Sequence, residues 1–160
     1  MTAISLYILF SMVAVMAYDV TRYIIPNWLV ASILVLYPAA LFINPQQTDW
    51  MMALAGAGIV FLVGYVVFAL RLMGGGDIKL ITVCALWVGW TALPEFIFLT
   101  AIFGGVFALL LLLVRKLLPW LRLAKTLPRI LRSGEPVPYG VAIALAFLYL
   151  HYLGKIAALA

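Results

Sequence analysis

The stretch of this sequence best suited to chemistry is Met73 to Lys79, where three glycines, an aspartate and a lysine separate two long apolar runs. Glycine allows positive φ and close approach of the backbone, which suits a tight turn that holds one side chain in a fixed place. That side chain is Asp77. A carboxylate at the edge of hydrocarbon is costly and therefore indicates function. The same residues are also compatible with an ordinary loop whose polar side chains are exposed to water.

Asp19 is a second acid, and it is expected at the same membrane depth as Asp77. It follows the first apolar run, and the glycine turn before Asp77 follows another helix predicted to run in the same direction. Two carboxylates from distant parts of the chain at one boundary indicate a site. Aspartates that approach each other can share a proton, one acting as base on a water and the other hydrogen-bonding the carbonyl under attack. This is aspartic-protease chemistry.

The composition is that of an integral membrane protein. Of the 160 residues, 68% are hydrophobic and 9% are charged, unlike an ordinary soluble domain. The net charge of +5 could suggest binding to nucleic acid, but the basic residues do not belong to a soluble fold that could present them. Nucleic acid is therefore not expected as a partner. The single cysteine, Cys84, has no partner for a disulfide or a zinc site. Because metal-ligand spacing and a nucleophile elbow are also absent from the sequence, no metal or cofactor is predicted.

The elements that must position these acids are predicted to be transmembrane helices. We expect an all-α, polytopic membrane protein whose residues 1–160 form a single domain with six transmembrane helices. A break at Pro94-Glu95 separates the fourth helix from the fifth, and merging the two would give five spans. The six predicted spans are 3–18, 25–43, 51–70, 78–93, 96–114 and 137–154.

Charge decides between six spans and five. With six, nearly all basic residues share one face, and the opposite face holds only Lys155; the shared set is Arg22, Arg71, Lys79, Arg115, Lys116, Arg122, Lys125, Arg129 and Arg132. The positive-inside rule then places a basic loop at 115–136 in the cytoplasm and both termini outside. This loop is either an amphipathic segment lying on anionic lipid or a loop whose charges only set the topology.

Three stretches resemble the type IV prepilin peptidases, a family of membrane aspartic peptidases. The stretches are Gly74 to Lys79, Asp19 followed by Ile25-Pro26-Asn27, and Pro138 to Ala144. The resemblance covers essentially the whole chain.

In that family a glycine-x-glycine-aspartate-x-lysine motif carries one catalytic acid, and an aspartate at the end of an earlier helix is the other. The resemblance therefore implies that Asp19 and Asp77 are catalytic. It also implies supporting roles for Gly74, Gly76 and Lys79.

The resemblance further implies cleavage of the basic leader of a prepilin at the cytoplasmic face of the inner membrane. The implied partners are the prepilin, through its leader peptide and N-terminal hydrophobic helix, and membrane lipids. Larger family members carry a methyltransferase region with a paired Cys-x-x-Cys zinc site, whereas this sequence has only Cys84. It is similar to the short, peptidase-only branch associated with tight-adherence (Flp) pili, so N-methylation is not expected. The sequence does not indicate an oligomeric state.

A function of another class is also compatible with the two acids. In a small ion-coupled transporter or channel, Asp19 and Asp77 would be cation ligands and the glycine turn would line a pore. Against this, both acids are predicted at one boundary rather than at the midplane, and no inverted repeat is apparent.

Overall fold

The computed structural model describes residues 3–43, 49–117, 129–132 and 134–159. Over these residues the chain forms helices and short turns without a strand, which confirms the all-α prediction. The helices are α1 (Ala3–Arg22), α2 (Asn27–Ile43), α3 (Trp50–Ala69), α4 (Gly75–Leu117) and α5 (Tyr139–Tyr152), with 3-10 turns at Arg129–Leu131 and Ala157–Leu159. Much of the basic loop, residues 118–128 and 133, lies outside the described residues, so its contact with lipid stays a prediction.

Three helices, α1, α3 and α4, are long and apolar enough to cross a membrane. The shorter apolar helices α2 and α5 have 17 and 14 residues, compared with the ~20 that a perpendicular crossing needs. Large apolar side chains are exposed on the outside of the bundle, among them Phe10, Val35 and Phe42. Such a surface suits hydrocarbon rather than water and agrees with a membrane protein.

Helix α4 is interrupted at Gly89, which has φ 75° and ψ 171°. The predicted break at Pro94-Glu95 is therefore wrong in position, since Pro94 lies inside the second helical segment, 90–117. A proline removes one helical hydrogen bond, but a glycine at positive φ can redirect the chain, because it has no Cβ to oppose that conformation.

The two segments of α4 run back along each other, as contacts at the two ends of the molecule indicate. At one end, Arg115 near the end of α4 donates to the carbonyl of Pro136. Pro136 borders the same cavity as Asp77 at the start of α4. At the other end, Glu95 pairs with Lys155, which follows α5, at 2.6 Å. The chain thus reverses near the break and reverses again before α5.

Packing around Trp87 holds the first segment of α4 against α2. The indole N–H of Trp87 donates to the carbonyl of Ile33 at 3.1 Å, and its ring meets Tyr37 edge-on with 5.3 Å between centroids. A buried indole or phenol ring adds apolar area, and the indole N–H needs a partner, which the carbonyl of Ile33 supplies. The end of the first segment of α4 is therefore fixed relative to the middle of α2.

Small residues in α3 allow α4 to approach closely, as is common between membrane helices. A Cβ on Gly64 would lie 2.8 Å from Cγ2 of Ile78, so Ile78 occupies the space that a side chain would need. About two turns earlier in α3, a Cβ on Gly56 would lie 2.9 Å from Cδ2 of Leu93. Because Ile78 follows Asp77, the contact at Gly64 also sets the position of that acid.

Candidate active site

Asp19 lies in the last turn of α1, which continues one turn beyond the predicted end of the first span. Its side chain is buried, with 5% of the residue exposed. The N–H of Tyr23 donates to the carbonyl of Asp19 at 3.0 Å, and Tyr23 itself adopts φ 55°. A left-handed residue just past the last turn is a common way to end a helix. The chain therefore leaves α1 immediately after the acid.

Asp77 lies in the first turn of α4, where the sequence places it. The motif glycine Gly74 is beside the acid, since a Cβ there would lie 3.0 Å from Oδ2 of Asp77. A Cβ on Gly76 would lie 3.4 Å from Cβ of Ile25, in the connection between α1 and α2. The two motif glycines thus have different surroundings: Gly74 leaves room for the carboxylate, and Gly76 allows α4 to approach that connection.

The start of α5 brings the two acids together. The carboxylate of Asp19 lies against the backbone N–H groups of Gly140 and Val141. The carboxylate of Asp77 lies against the N–H of Gly140 and interacts electrostatically with Asp19. The first N–H groups of a helix have no partner within the helix and carry partial positive charge. Two acids from distant parts of the sequence therefore face the same N–H group at the start of α5.

Gly140 itself has no room for a side chain. A Cβ there would lie 2.7 Å from Oδ2 of Asp19 and 2.9 Å from Cδ1 of Ile25. In the sequence, Gly140 belongs to the stretch Pro138 to Ala144, which indicates no separate role for it. A glycine in the first turn of an otherwise apolar helix is the feature that could have identified it, because glycine is unfavourable inside helices.

Both acids line a cavity of about 810 Å³, here called the aspartate cavity. Two of its residues, Tyr23 and Arg71, have positive φ values of 55° and 59°. Each follows a helix end, and each holds a conformation that costs a residue other than glycine of order 1–3 kcal/mol, as is frequent at functional sites. The cavity is lined by Asp19, Tyr23, Phe68, Ala69, Arg71, Leu72, Met73, Gly74, Asp77, Pro136, Val137, Pro138 and Tyr139.

Lys79 is near the acids in sequence but does not line the aspartate cavity. Its Nζ donates to Oδ1 of Asn27 at 3.0 Å, which joins the first turn of α4 to the first turn of α2. This contact favours a role for Lys79 in anchoring the turn over direct action on Asp77. A supporting role for Lys79 in the reaction stays a prediction.

From the sequence, Arg115 is expected only to be one of the basic residues that set the topology. Its side chain is buried, with 8% of the residue exposed. The guanidinium donates to the carbonyls of Ile130 at 2.8 and 3.0 Å, Glu135 at 2.7 Å and Pro136 at 3.1 Å. These carbonyls belong to the segment that leads through the cavity wall to Gly140. Arg115 therefore fixes the approach to the start of α5.

Replacing Arg115 is expected to lower the rate of the reaction at this site without removing the acids. In Arg115→Met the carbonyls lose their hydrogen-bond donor, and each buried carbonyl left without one destabilises the fold by ~1–3 kcal/mol. In Arg115→Lys a single ammonium cannot reach all three carbonyls in the geometry of the guanidinium fork. We expect kcat to fall about tenfold in Arg115→Met and less in Arg115→Lys, since misplacement of a reacting group by a fraction of an ångström suffices.

The control is Lys116→Met, which removes the same charge from the exposed neighbouring residue and is expected to keep wild-type kcat. Thermal unfolding of all three variants separates a positioning effect from loss of fold. Equal kcat in Arg115→Met and Lys116→Met would contradict the positioning role.

Within the described ranges, no three His, Cys, Asp or Glu side chains come together in a way that could hold a metal ion.

Comparison with known proteins gives one family. Residues 6–109 match the sequence model of the type IV leader peptidase family. A prepilin leader peptidase/N-methyltransferase of Stutzerimonas stutzeri is 26% identical over 152 residues, 88% of this chain and 46% of that protein. Proteins of that name from Aeromonas salmonicida and Pseudomonas aeruginosa are each 31% identical over 74 residues, 46% of this chain and 21% of theirs. The chain thus spans less than half of these relatives, and no solved structure matches it significantly.

Proposed function

Because the chain belongs to the type IV leader peptidase family, we propose that it is a prepilin leader peptidase that cleaves Flp-type prepilins with Asp19 and Asp77 as its catalytic pair. The observation that carries the proposal is that both carboxylates line one cavity, beside the start of α5 at Gly140. Two adjacent carboxylates favour a state with one shared proton, because simultaneous ionisation is costly.

In this mechanism the ionised aspartate takes a proton from a water, whose oxygen attacks the carbonyl carbon of the scissile bond. The protonated aspartate donates a hydrogen bond to the carbonyl oxygen as negative charge develops there. The carbon–nitrogen bond then breaks, and a proton passes from the aspartates to the leaving amine.

N-methylation is not part of this proposal. The only cysteine in the sequence, Cys84, is fully buried in the apolar core. The methyltransferase activity in the names of the relatives therefore has no zinc-binding cysteine pair in these 160 residues.

The test is hydrolysis by the purified protein of a Flp-type prepilin in detergent, followed by mass spectrometry of the products. A single cut after the basic leader, without added metal, is the expected result. Absence of cleavage, together with cation flux through proteoliposomes, would instead support the transporter alternative, in which Asp19 and Asp77 bind cations.

We also propose that the chain crosses the inner membrane six times, with the two segments of α4 as separate crossings. Its support is the reversal of the chain at Gly89 and the Arg115 contacts at the end where the aspartates lie. The start of α1 lies at the opposite end, where Oγ of Ser5 donates to the carbonyl of Leu159 at 3.3 Å. With basic residues inside, the aspartates face the cytoplasm and both termini lie outside.

Cysteine labelling in a Cys84→Ala background is expected to show this orientation. Arg132→Cys should react with a membrane-impermeant maleimide only after the inner membrane is broken. Tyr152→Cys, at a position that is 83% exposed and near the opposite end, should react in intact spheroplasts. The reverse pattern would put the aspartates on the wrong side for a cytoplasmic leader and would contradict the orientation.

A further inference from the structure

Arg71 carries a positive charge in the wall of the aspartate cavity, where the other charged residues among those described are Asp19 and Asp77. Its side chain is exposed, and its guanidinium forms no ion pair or hydrogen bond with a residue that the structure describes. Arg115, in contrast, is buried and uses its guanidinium to hold backbone carbonyls. The charge of Arg71 is therefore neither neutralised by the aspartates nor used to hold a neighbouring segment in place.

Arg71 also occupies a backbone position that favours glycine. At the end of α3, the N–H of Leu72 donates to the carbonyl of Val67 at 3.1 Å, and the N–H of Arg71 donates to the carbonyl of Phe68 at 2.8 Å. This pair of hydrogen bonds is the Schellman motif, in which the left-handed residue is usually glycine. Arg71 is that residue here, with φ 59°. A side chain kept at a cost in backbone strain indicates that the side chain has a function.

The charge of Arg71 suits the product of the proposed reaction better than the substrate. Because like charges repel, Arg71 opposes the basic side chains of an intact leader. Hydrolysis then converts the neutral peptide bond into a carboxylate on the leader and an amine on the mature protein. The new carboxylate forms beside Asp19 and Asp77, and the negative charge of this pair repels it. A free guanidinium in the same cavity offers that carboxylate a favourable partner.

We infer that Arg71 binds the carboxylate that cleavage creates at the end of the leader, and that it thereby draws this group away from the catalytic aspartates. The inference rests on the proposed peptidase function and adds a product-binding residue to it. A guanidinium can bind a carboxylate through two parallel hydrogen bonds, which makes the pair strong and specific in geometry. The carboxylate arises inside the aspartate cavity at every turnover, whereas lipid phosphates lie at the membrane surface.

The test compares two synthetic leader peptides that differ only at their last residue, which ends in a free carboxylate in one and in a carboxamide in the other. Their affinities for the purified protein in detergent are measured at neutral pH by fluorescence anisotropy. The wild type is expected to bind the carboxylate form about tenfold more tightly, because hydrogen bonds between charged groups are the stronger ones. Arg71→Gln should bind both forms equally, and Arg71→Lys, which lacks the guanidinium fork, should keep part of the preference.

Two further variants separate product binding from effects on the fold and on the general charge. Arg71→Gly supplies the residue that the end of α3 favours, so it should unfold at the same temperature as the wild type or higher and still lose the preference for the carboxylate. Arg22→Gln is the matched control for charge. Arg22 is exposed at the end of α1, lies 5.3 Å from the centre of the Tyr18 ring and does not line the aspartate cavity. Arg22→Gln should therefore keep the full preference.

Equal affinity of the wild type for the two peptides would overturn the inference, as would a preference for the carboxylate that survives in Arg71→Gln and Arg71→Gly. Loss of the preference in Arg22→Gln as well would also overturn it, because general positive charge at this boundary would then be responsible. These measurements record binding without turnover, so they are separate from the cleavage test. Failure to cleave prepilin would contradict the proposed function, whereas cleavage together with equal affinity for the two peptides would contradict only the role of Arg71.

Discussion

Asp19→Asn and Asp77→Asn are each expected to abolish prepilin cleavage, with kcat lowered about a thousandfold or more. When two residues act as one catalytic unit, replacing either of them removes nearly all of the activity. Asparagine keeps the shape of the side chain but can neither share a proton with its partner nor accept one from water. The double variant should be no slower than either single variant. Cleavage is measured in detergent with prepilin at saturating concentration, and insertion is checked by membrane fractionation.

The matched control is Asp49→Asn, which makes the same chemical change away from the aspartates. Asp49 caps α3 by accepting a hydrogen bond from the N–H of Met52 at 3.1 Å, and asparagine caps helices about equally well. Its kcat should equal that of the wild type. Lys79→Ala should weaken cleavage without abolishing it, since Lys79 contacts Asn27 rather than the acids. Near-wild-type turnover in either aspartate variant would refute the paired mechanism.

The meeting of Asp19 and Asp77 could be predicted because it depends on features that the sequence contains. Each acid is next to the end of an apolar run, and the direction of successive helices places both ends at one boundary. The role of Gly74 also follows from the sequence, because three glycines before an acid indicate close backbone approach. The family resemblance and the helical class rest on the same local features.

Other parts of the site depend on contacts between distant residues and could not be predicted. Pro94-Glu95 is a stronger helix breaker by composition than Gly89, whose positive φ appears only in the folded chain. In the sequence, Arg115 looks like one of the basic residues that set the topology. Only the folded chain brings the carbonyls of Ile130, Glu135 and Pro136 to its guanidinium. Gly140 acts through its backbone N–H and through the space above its Cα, neither of which its sequence position specifies.

Gly140→Ala is expected to lower kcat about a hundredfold or more, because oriented backbone donors at a reacting centre have effects of this size. The added Cβ would lie 2.7 Å from Oδ2 of Asp19, so either the start of α5 or the carboxylate must move, which separates Asp19 from the first N–H groups of α5. Alanine favours a helix over glycine by about 1 kcal/mol, so the variant should not lose stability through α5 itself.

The matched control is Gly105→Ala in α4, where an added Cβ meets nothing within 4 Å, and wild-type kcat is expected. Gly140→Ala would also bring Cβ within 2.9 Å of Cδ1 of Ile25, and the double variant Gly140→Ala/Ile25→Val removes that second contact by deleting the δ-methyl group. If displacement of Asp19 causes the loss, the double variant should remain as slow as Gly140→Ala. Recovery of kcat in the double variant would show that the contact with Ile25, rather than displacement of Asp19, causes the loss.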